Sequence, residues 1–382
     1  MALVLLAFAG LVRMGRRALD LVNRSGNINA PASWPPLTLI VPVAGAAPGL
    51  AARLTALVHQ DYPGYKVIFA VRDLEDPAAA VITALPPGKA PARLVVAGPA
   101  RTCGQKNHNL LAGVKLAGEA PEILAFCDSN QEAPPDFLRK LAAPVAWGEG
   151  PVTSGYHHLL PGDNRLATWG RAVAVLTLYL TKAVPRFNQP WGGATAIRRE
   201  AFAALKVDRL WAETVVDDVS LAALLVRKGI PVCLSPGADL ATPLAGETCR
   251  SWQSWLFRQW IYLKYYLPGS WLAAGAFLHL AAFLVLLSTA SVILAPWGGL
   301  SLGPAVLCLP FLAGLGVLAL ALRGLHPRPP HRLLWLAACL AALLMGSWVH
   351  LKTCLTQKIA WRGTVYRVDW RGRVTSISFS EN

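Results

Sequence analysis

Between Tyr265 and Leu322 the chain carries no Asp, Glu, Lys or Arg across 58 consecutive residues. A helix that crosses the hydrocarbon core of a bilayer needs about 20 apolar residues, so this stretch has room for two crossings and a turn. It divides at the breaker-rich Pro296–Pro304 into Trp271–Ala295 and Ala305–Leu322, which read as two spans. Beyond the basic loop Arg323–Arg332, Leu333–Leu351 makes a third candidate, so residues 271–351 form the transmembrane region. At the other end, the short apolar run Met1–Val12 is followed by Arg13, Arg16 and Arg17. No small-residue cleavage site of the expected kind follows it, so residues 1–24 read as an uncleaved anchor or an interfacial helix.

The net charge of +15 raises the question of nucleic acid, and the placement of the charge answers it. Basic residues gather beside the apolar segments, at Arg13 to Arg24, Arg323 to Arg332 and Lys352 to Arg373. That is the cytoplasmic-side bias of membrane proteins, with attraction to anionic headgroups; no nucleic-acid partner is expected. Seven cysteines are scattered without a CxxC pair, which points away from a zinc site or a disulfide framework and towards a reducing, cytoplasmic face. The expectation is an integral membrane protein of a bacterial inner membrane or its equivalent. If all three C-terminal segments crossed, the basic tail 352–382 would end outside, against the positive-inside rule. One segment is therefore expected to be re-entrant or interfacial, and the tail inside.

Residues 35–245 are organised differently. "LTLIVPV" (37–43) is a continuous apolar run that fits a strand buried on both faces, and the segment after it has apolar residues at helical spacing. "KVIFAVRD" (66–73), "RLVVAG" (93–98) and "EILAFCD" (122–128) read as further strands, with a helix around Asn107–Leu116. Strands alternating with helices predict a mostly parallel α/β sheet. In such sheets ligands bind beyond the carboxyl ends of the strands, where Asp73 and Asp128 stand. One aspartate after a strand is often only a cap or a turn former. Two at equivalent ends, with a third acidic pair in "VVDDVSLAALL" (215–225), point to a site. Of Asp217 and Asp218, one is expected to cap the following helix and the other to face the cleft.

"VPVAGAAPGL", "HQDYP", "FAVRDLEDPA", "TCGQKNHNL", "FCDSN", "WGGATAI", "VVDDVSLAALLVRKG" and "IAWRGTVYRV" follow one another from Leu37 to Val368. As an ordered set they resemble the ceramide glucosyltransferase family, a lipid-acting branch of the inverting nucleotide-sugar glycosyltransferases. The resemblance implies a GT-A-like, Rossmann-related nucleotide-sugar domain joined to transmembrane helices. It also implies transfer of a hexose, glucose first, from a UDP-sugar to a lipid hydroxyl, ceramide first, as in glycosphingolipid biosynthesis. A hopanoid, sterol or diacylglycerol acceptor, a polysaccharide synthase and a non-catalytic membrane scaffold are the alternatives.

Residue by residue, the resemblance assigns Asp73 to the uridine side of the donor, with Asp76 a nearby substitute. Asp128 matches the DxD-like position that holds a divalent metal, Mg2+ or Mn2+, and the sugar diphosphate; the third position of that motif is Asn130, whose amide oxygen can also ligate such an ion. The third acidic motif supplies the general base, Asp218, with Asp217 its alternate. The family pattern of Gln or Arg, two spacers and Arg-Trp falls in "CRSWQSWLFRQWIYLKYYLPG" (249–269), which also reads as an interfacial aromatic helix. There Arg258 matches the arginine, Trp255 holds the leading position, Gln259 stands at the tryptophan position and Trp260 comes one residue late; the resemblance implies that this motif borders the donor pyrophosphate and the acceptor entrance, which makes Arg258 and Trp260 donor-binding residues. Lys106 is placed to approach the donor diphosphate. Trp191, Gly192 and Gly193 form a donor or acceptor loop in which paired glycines let backbone approach a ligand. His157 and His158, adjacent on a strand and so facing opposite ways, are given no role, and no residue of the C-terminal tail is assigned to catalysis.

Overall fold

In the strand β1 (Leu37–Pro42), Leu39 and Ile40 are both fully buried, so successive side chains meet protein on opposite faces. The computed structural model describes residues 1–24, 33–295 and 302–379. After helix α1 (Ala2–Arg24), β1 is followed by α2 (Leu50–Val58), β2 (Tyr65–Val71), α3 (Pro77–Thr83), β3 (Ala92–Val96), α4 (Gln105–Ala117) and β4 (Ile123–Phe126). These four strands pair in parallel, with Ile40 level with Ile68 of β2 and Phe126 of β4. Next come α5 (Phe137–Ala146), β5 (Val152–Pro161), α6 (Leu166–Tyr179), β6 (Thr195–Arg198), α7 (Arg199–Ala204), α8 (Val207–Trp211), α9 (Asp218–Lys228) and β7 (Cys233–Leu244). The seven-stranded sheet has the order β3-β2-β1-β4-β6-β5-β7, and β6 runs antiparallel to β4 and β5. The sheet is thus mixed. The segment β5-α6-β6 has the alternation of a parallel crossover, but α6 belongs to a different part of the molecule.

Two apolar layers cover the sheet. Leu39, Val41, Val67, Phe69 and Ala125 pack with Leu54, Leu57, Ile82 and Leu141 from α2, α3 and α5. Ile40, Ile68, Leu124 and Phe126 face the other way, against Leu110, Trp211, Leu221 and Leu225 from α4, α8 and α9. Period-two alternation thus explains why the strands read as unbroken apolar runs.

Internal contacts divide the chain into two units. Leu21–His157, Val184–Thr242 and Gln357–Asn382 form the α/β unit, and Met1–Asp20, His158–Ala183 and Pro243–Thr356 form a helical unit. The chain therefore leaves the α/β unit at His158 and returns at Val184, a division that the pattern of 35–245 did not show. The cause is α6, whose apolar side chains pack against α13 (Arg332–Cys354) and α10 (Cys249–Tyr266). With α11 (Pro268–Leu294) and α12 (Leu302–Arg323) these complete the helical unit. Among the described residues three helical stretches, Pro268–Leu294, Val306–Arg323 and Arg332–Cys354, are long and apolar enough to cross a bilayer. Of the predicted breaker Pro296–Pro304, residues 296–301 lie outside the described residues. Within this unit α1 packs Val4, Leu5 and Phe8 against Ala281, Val285 and Phe311 of α11 and α12.

The tail forms an antiparallel three-stranded sheet, β8 (Lys358–Trp361), β9 (Thr364–Val368) and β10 (Val374–Phe379). It packs within the α/β unit. Val374 N donates to Glu213 O at 2.8 Å, Gln105 N donates to the Tyr366 hydroxyl at 3.4 Å, and Arg373 lies 3.4 Å from Glu213. Tail and α/β core hence share one side of any bilayer.

Candidate active site at the carboxyl edge of the sheet

Because β1, β2 and β4 are parallel, the loops that follow them emerge at one edge. Phe126 packs on the α4 and α9 side and Cys127 on the opposite side; continuing the alternation, Asp128 returns to the α4 side. There its Oδ1 meets the ammonium of Lys106 at 2.8 Å. The same Nζ lies 3.1 Å from Asp217 Oδ1, in ion-pair contact without hydrogen-bond alignment, since that buried oxygen has no hydrogen-bond partner. Lys106 opens α4 and Asp217 precedes α9, so two helix starts and one strand end converge.

The backbone around this cluster is fixed by a buried amide that sequence reasoning missed. Asn107, fully buried, donates through Nδ2 to Thr214 O at 3.0 Å and to Trp211 O at 3.3 Å. These bonds tie the start of α4 to the α8–α9 loop. Asp217 occupies the N-cap position without a side-chain capping bond. Its carboxylate is turned to Lys106 instead, and its carbonyl accepts from Trp211 Nε1 at 3.0 Å and from the Ser220 hydroxyl at 3.0 Å. Asp218 is more accessible than Asp217; its carboxylate accepts from Gly192 N at 3.1 Å and Val219 N at 2.7 Å.

Electrostatics follow from this crowding. Burial alone would lower the Lys106 ammonium, but the charges of Asp128, Asp217 and Asp218 outweigh it and hold the group well above its ordinary value. Asp128 is raised, with partial burial outweighing the pull of Lys106. Asp218 is pushed up to about 6, by burial first and then by its neighbour Asp217.

Gly192 is required by close approach: a Cβ there would fall on the Asp217 carboxylate and 2.7 Å from Lys106 Nζ. Beside it, a Cβ at Gly193 would collide with the Trp191 indole. The paired glycines therefore bring backbone up to the charged cluster and let the indole fold back. That indole stacks on His157, with centroids 4.2 Å apart and planes at 13°. His157 Nδ1 lies 2.7 Å from the Thr242 hydroxyl, which donates to Gln131 Oε1 at 2.5 Å; Gln131 Nε2 in turn donates to Asn130 Oδ1 at 2.8 Å. The Trp191 loop and the Asp128 loop are thus linked through His157, a residue left without a role in the sequence. Its neighbour His158 belongs to the helical unit.

Other expected residues are placed as follows. Asp73 lies beyond β2, where its Oδ1 accepts from Asp76 N at 2.9 Å and its Oδ2 stands 3.4 Å from Arg72 Nε. Asp76 caps α3 and also accepts from Gly45 N at 2.7 Å, which joins the β1 and β2 loops. Arg258 and Trp260 lie on α10 in the helical unit. Trp260 sits edge-on to His350, with centroids 5.0 Å apart. Arg362 was assigned nothing, yet its guanidinium donates to Ala44 O at 3.3 Å and its charge acts on Asp128.

A divalent cation needs hard oxygen donors. Asp128 offers a carboxylate whose side chain is 30% exposed, Asn130 an exposed amide, and Asp217 Oδ1 stands nearby without a hydrogen bond. Among the described residues no cage of three or more His, Cys, Asp or Glu side chains occurs. One or two carboxylates, completed by phosphate oxygens and water, is how Mg2+ is usually held, and the residues here fit an ion on those terms.

The model of glycosyl transferase family 21 matches residues 2–374. Among solved structures, a mannosyltransferase from Pyrobaculum calidifontis in complex with GDP-Man and Mn2+ is similar with a TM-score of 0.51 at 19% identity, over 91% of this chain and 98% of that one. Glucosyl-3-phosphoglycerate synthase from Mycobacterium tuberculosis, in complex with Mn2+, UDP and glucosyl-3-phosphoglycerate, is similar at 15% identity and a TM-score of 0.37, over 62% of this chain and 85% of that one. The first likeness shows the fold, a GT-A type sheet.

Proposed function

The chain belongs to glycosyl transferase family 21, and from that premise we propose that it moves a hexose, glucose first, from a UDP-sugar to a membrane lipid hydroxyl, ceramide first, with inversion. The observation that carries this reading is the cluster of Asp128, Lys106, Asp217 and Asp218 at the sheet's carboxyl edge. The GDP-Man and Mn2+ held by the similar mannosyltransferase support a nucleotide-sugar donor and a divalent cation. The basic residues flanking the apolar helices support a cytoplasmic α/β unit.

Asp218 is the general base. Its carboxylate, oriented by the Gly192 and Val219 amides, takes the proton of the acceptor hydroxyl as that oxygen bonds to the anomeric carbon. The sugar–phosphate bond breaks on the opposite face and UDP leaves with the bonding electron pair. A proton affinity near 6 suits a base working close to neutrality. Lys106 balances the cluster and fixes Asp128, while Asp73 takes the uridine side. Asp128, with Asn130 beside it, would hold a divalent cation, which supplies positive charge to the diphosphate when bound. Trp191, Gly192 and Gly193 serve as the donor or acceptor loop.

The test is to incubate detergent-solubilised protein and Mg2+ or Mn2+ with a mixed lipid extract and several UDP-sugars, reading lipid mass. A single hexose gained by ceramide, absent with Asp218→Asn, supports the reading. The same gain on a hopanoid, sterol or diacylglycerol replaces the acceptor, and a ladder of hexoses means polymer synthesis. No lipid gain despite UDP-sugar binding ends the lipid-acceptor reading.

A further inference from the structure

We propose that Arg362, supplied by the C-terminal sheet, contacts the diphosphate of the nucleotide-sugar donor; the proposal rests on the donor reading above. The residue sits at an unusual place. Strands β8 and β9 are joined by Arg362 and Gly363 alone, with φ of 47° and 73°. Two left-handed central residues make the tight hairpin turn that Asn-Gly or Asp-Gly normally fills. An arginine in that conformation costs about 1–2 kcal/mol, so the turn alone does not explain the side chain it carries.

The guanidinium is delivered to one spot on the sheet edge. Arg362 Nη1 donates to the carbonyl of Ala44, two residues beyond the end of β1. The tail is held there by the bond between the Gln105 amide and the Tyr366 hydroxyl, one residue before Lys106, and by the Glu213 contacts of Arg373 and Val374. In the sheet order β2-β1-β4, the loop after β1 lies between the loop bearing Asp73 and the loop bearing Asp128. A donor with its nucleoside at Asp73 and its diphosphate reaching Asp128 runs across the β1 edge, past Ala44 and Arg362.

Charge supports the same assignment. Lys106 is committed to Asp128 and Asp217 at 2.8 and 3.1 Å. At an edge that carries Asp73, Asp76, Asp128, Asp217 and Asp218, Arg362 adds a second positive group for a diphosphate beside the divalent cation that Asp128 would hold. Arg362 is exposed, and a guanidinium has five N–H donors in a planar fork suited to phosphate, of which the Ala44 carbonyl takes one.

The experiment is a binding series on the full chain in detergent. Uridine, UMP, UDP and GDP are titrated, with Mg2+ or Mn2+ present, into wild type, Arg362→Gln, Arg362→Lys and Arg362→Gly, with thermal unfolding in parallel. Glycine suits the left-handed turn, so that variant folds at least as well as wild type and separates binding from stability. Expected is a loss of UDP affinity of about 10- to 100-fold in the glutamine and glycine variants, unchanged uridine affinity, and partial recovery in the lysine variant. Equal UDP affinity in wild type and the glycine variant overturns the role of Arg362 and leaves the donor reading standing. Uridine and UDP weakened together overturn it as well, because the loss then belongs to the site's shape. Wild type that binds neither UDP nor GDP overturns both the proposal and the donor reading.

Discussion

At the carboxyl edge of the sheet, Lys106 stands among Asp128, Asp217 and Asp218. In the helical unit Arg171 and Glu247 form a one-to-one ion pair, and polar groups among α10, α11 and α13 are paired with neutral partners. His279 bonds the Ser347 hydroxyl at 2.7 Å and His350 at 2.9 Å, Trp271 Nε1 donates to the Thr353 hydroxyl at 3.2 Å, and Lys264 donates to the carbonyls of Thr353 and Thr356 at 2.7 and 3.0 Å. Both regions face the cost of taking polar atoms out of water, and they meet it differently. Hydrogen bonds between these helices satisfy most of the groups locally and add modest stability. The sheet edge keeps Lys106 against three carboxylates, an imbalance that a bound cation or a proton must settle, and that is the mark of a site rather than a scaffold.

The sharpest way to break the comparison is Asp218→Asn. Removing the base is expected to slow hexosyl transfer about 10²- to 10⁴-fold while UDP-sugar affinity stays close to wild type, checked by single-turnover rates beside titration. Lys106→Met comes next. Leaving the largely buried Asp217 and its neighbours without their cation should destabilise the α/β unit by about 3–5 kcal/mol, visible in denaturant unfolding; a loss below 1 kcal/mol would show that the cluster is solvated and ordinary.

The pH profile is a gentler probe. Asp218 is raised to about 6, and the base works ionised, so kcat/KM should fall about tenfold per pH unit below 6. The stability change has the opposite sense. A folded-state value above the unfolded one stabilises the protein below the ordinary carboxylate range, and this contribution is lost as pH rises through 6. A flat rate profile between pH 5 and 7 would reject Asp218 as the base. The smallest effect is expected in the helical unit: His279→Phe removes the bonds to Ser347 and His350 and should cost about 0.6–2 kcal/mol with transfer chemistry intact.

How legible each region was depends on where its information lies. The strands β1, β2 and β4 could be read because burial on both faces leaves unbroken apolar runs, and the carboxyl ends of β2 and β4 pointed to Asp73 and Asp128. The antiparallel half could not, because α6 imitates a crossover helix in sequence while packing with α13. Lys106, Asp217 and Asp218 were nameable from motifs, but their convergence depends on Asn107 and its bonds to Trp211 and Thr214, contacts that no local periodicity encodes. Arg362 stood in plain view in a strand-turn-strand pattern, "KIAWRGTVYRV"; nothing local told that the hairpin docks beside Ala44.

The tail sheet also carries a consequence for biosynthesis. Tyr366 and Val374 bond to Gln105 and Glu213, so the α/β unit is completed by strands that the ribosome makes only after α10 to α13. A nascent chain that has finished the aspartate-bearing loops still lacks these strands. The last contacts of the catalytic unit form after its membrane helices exist, which couples maturation of the sheet edge to the order of synthesis.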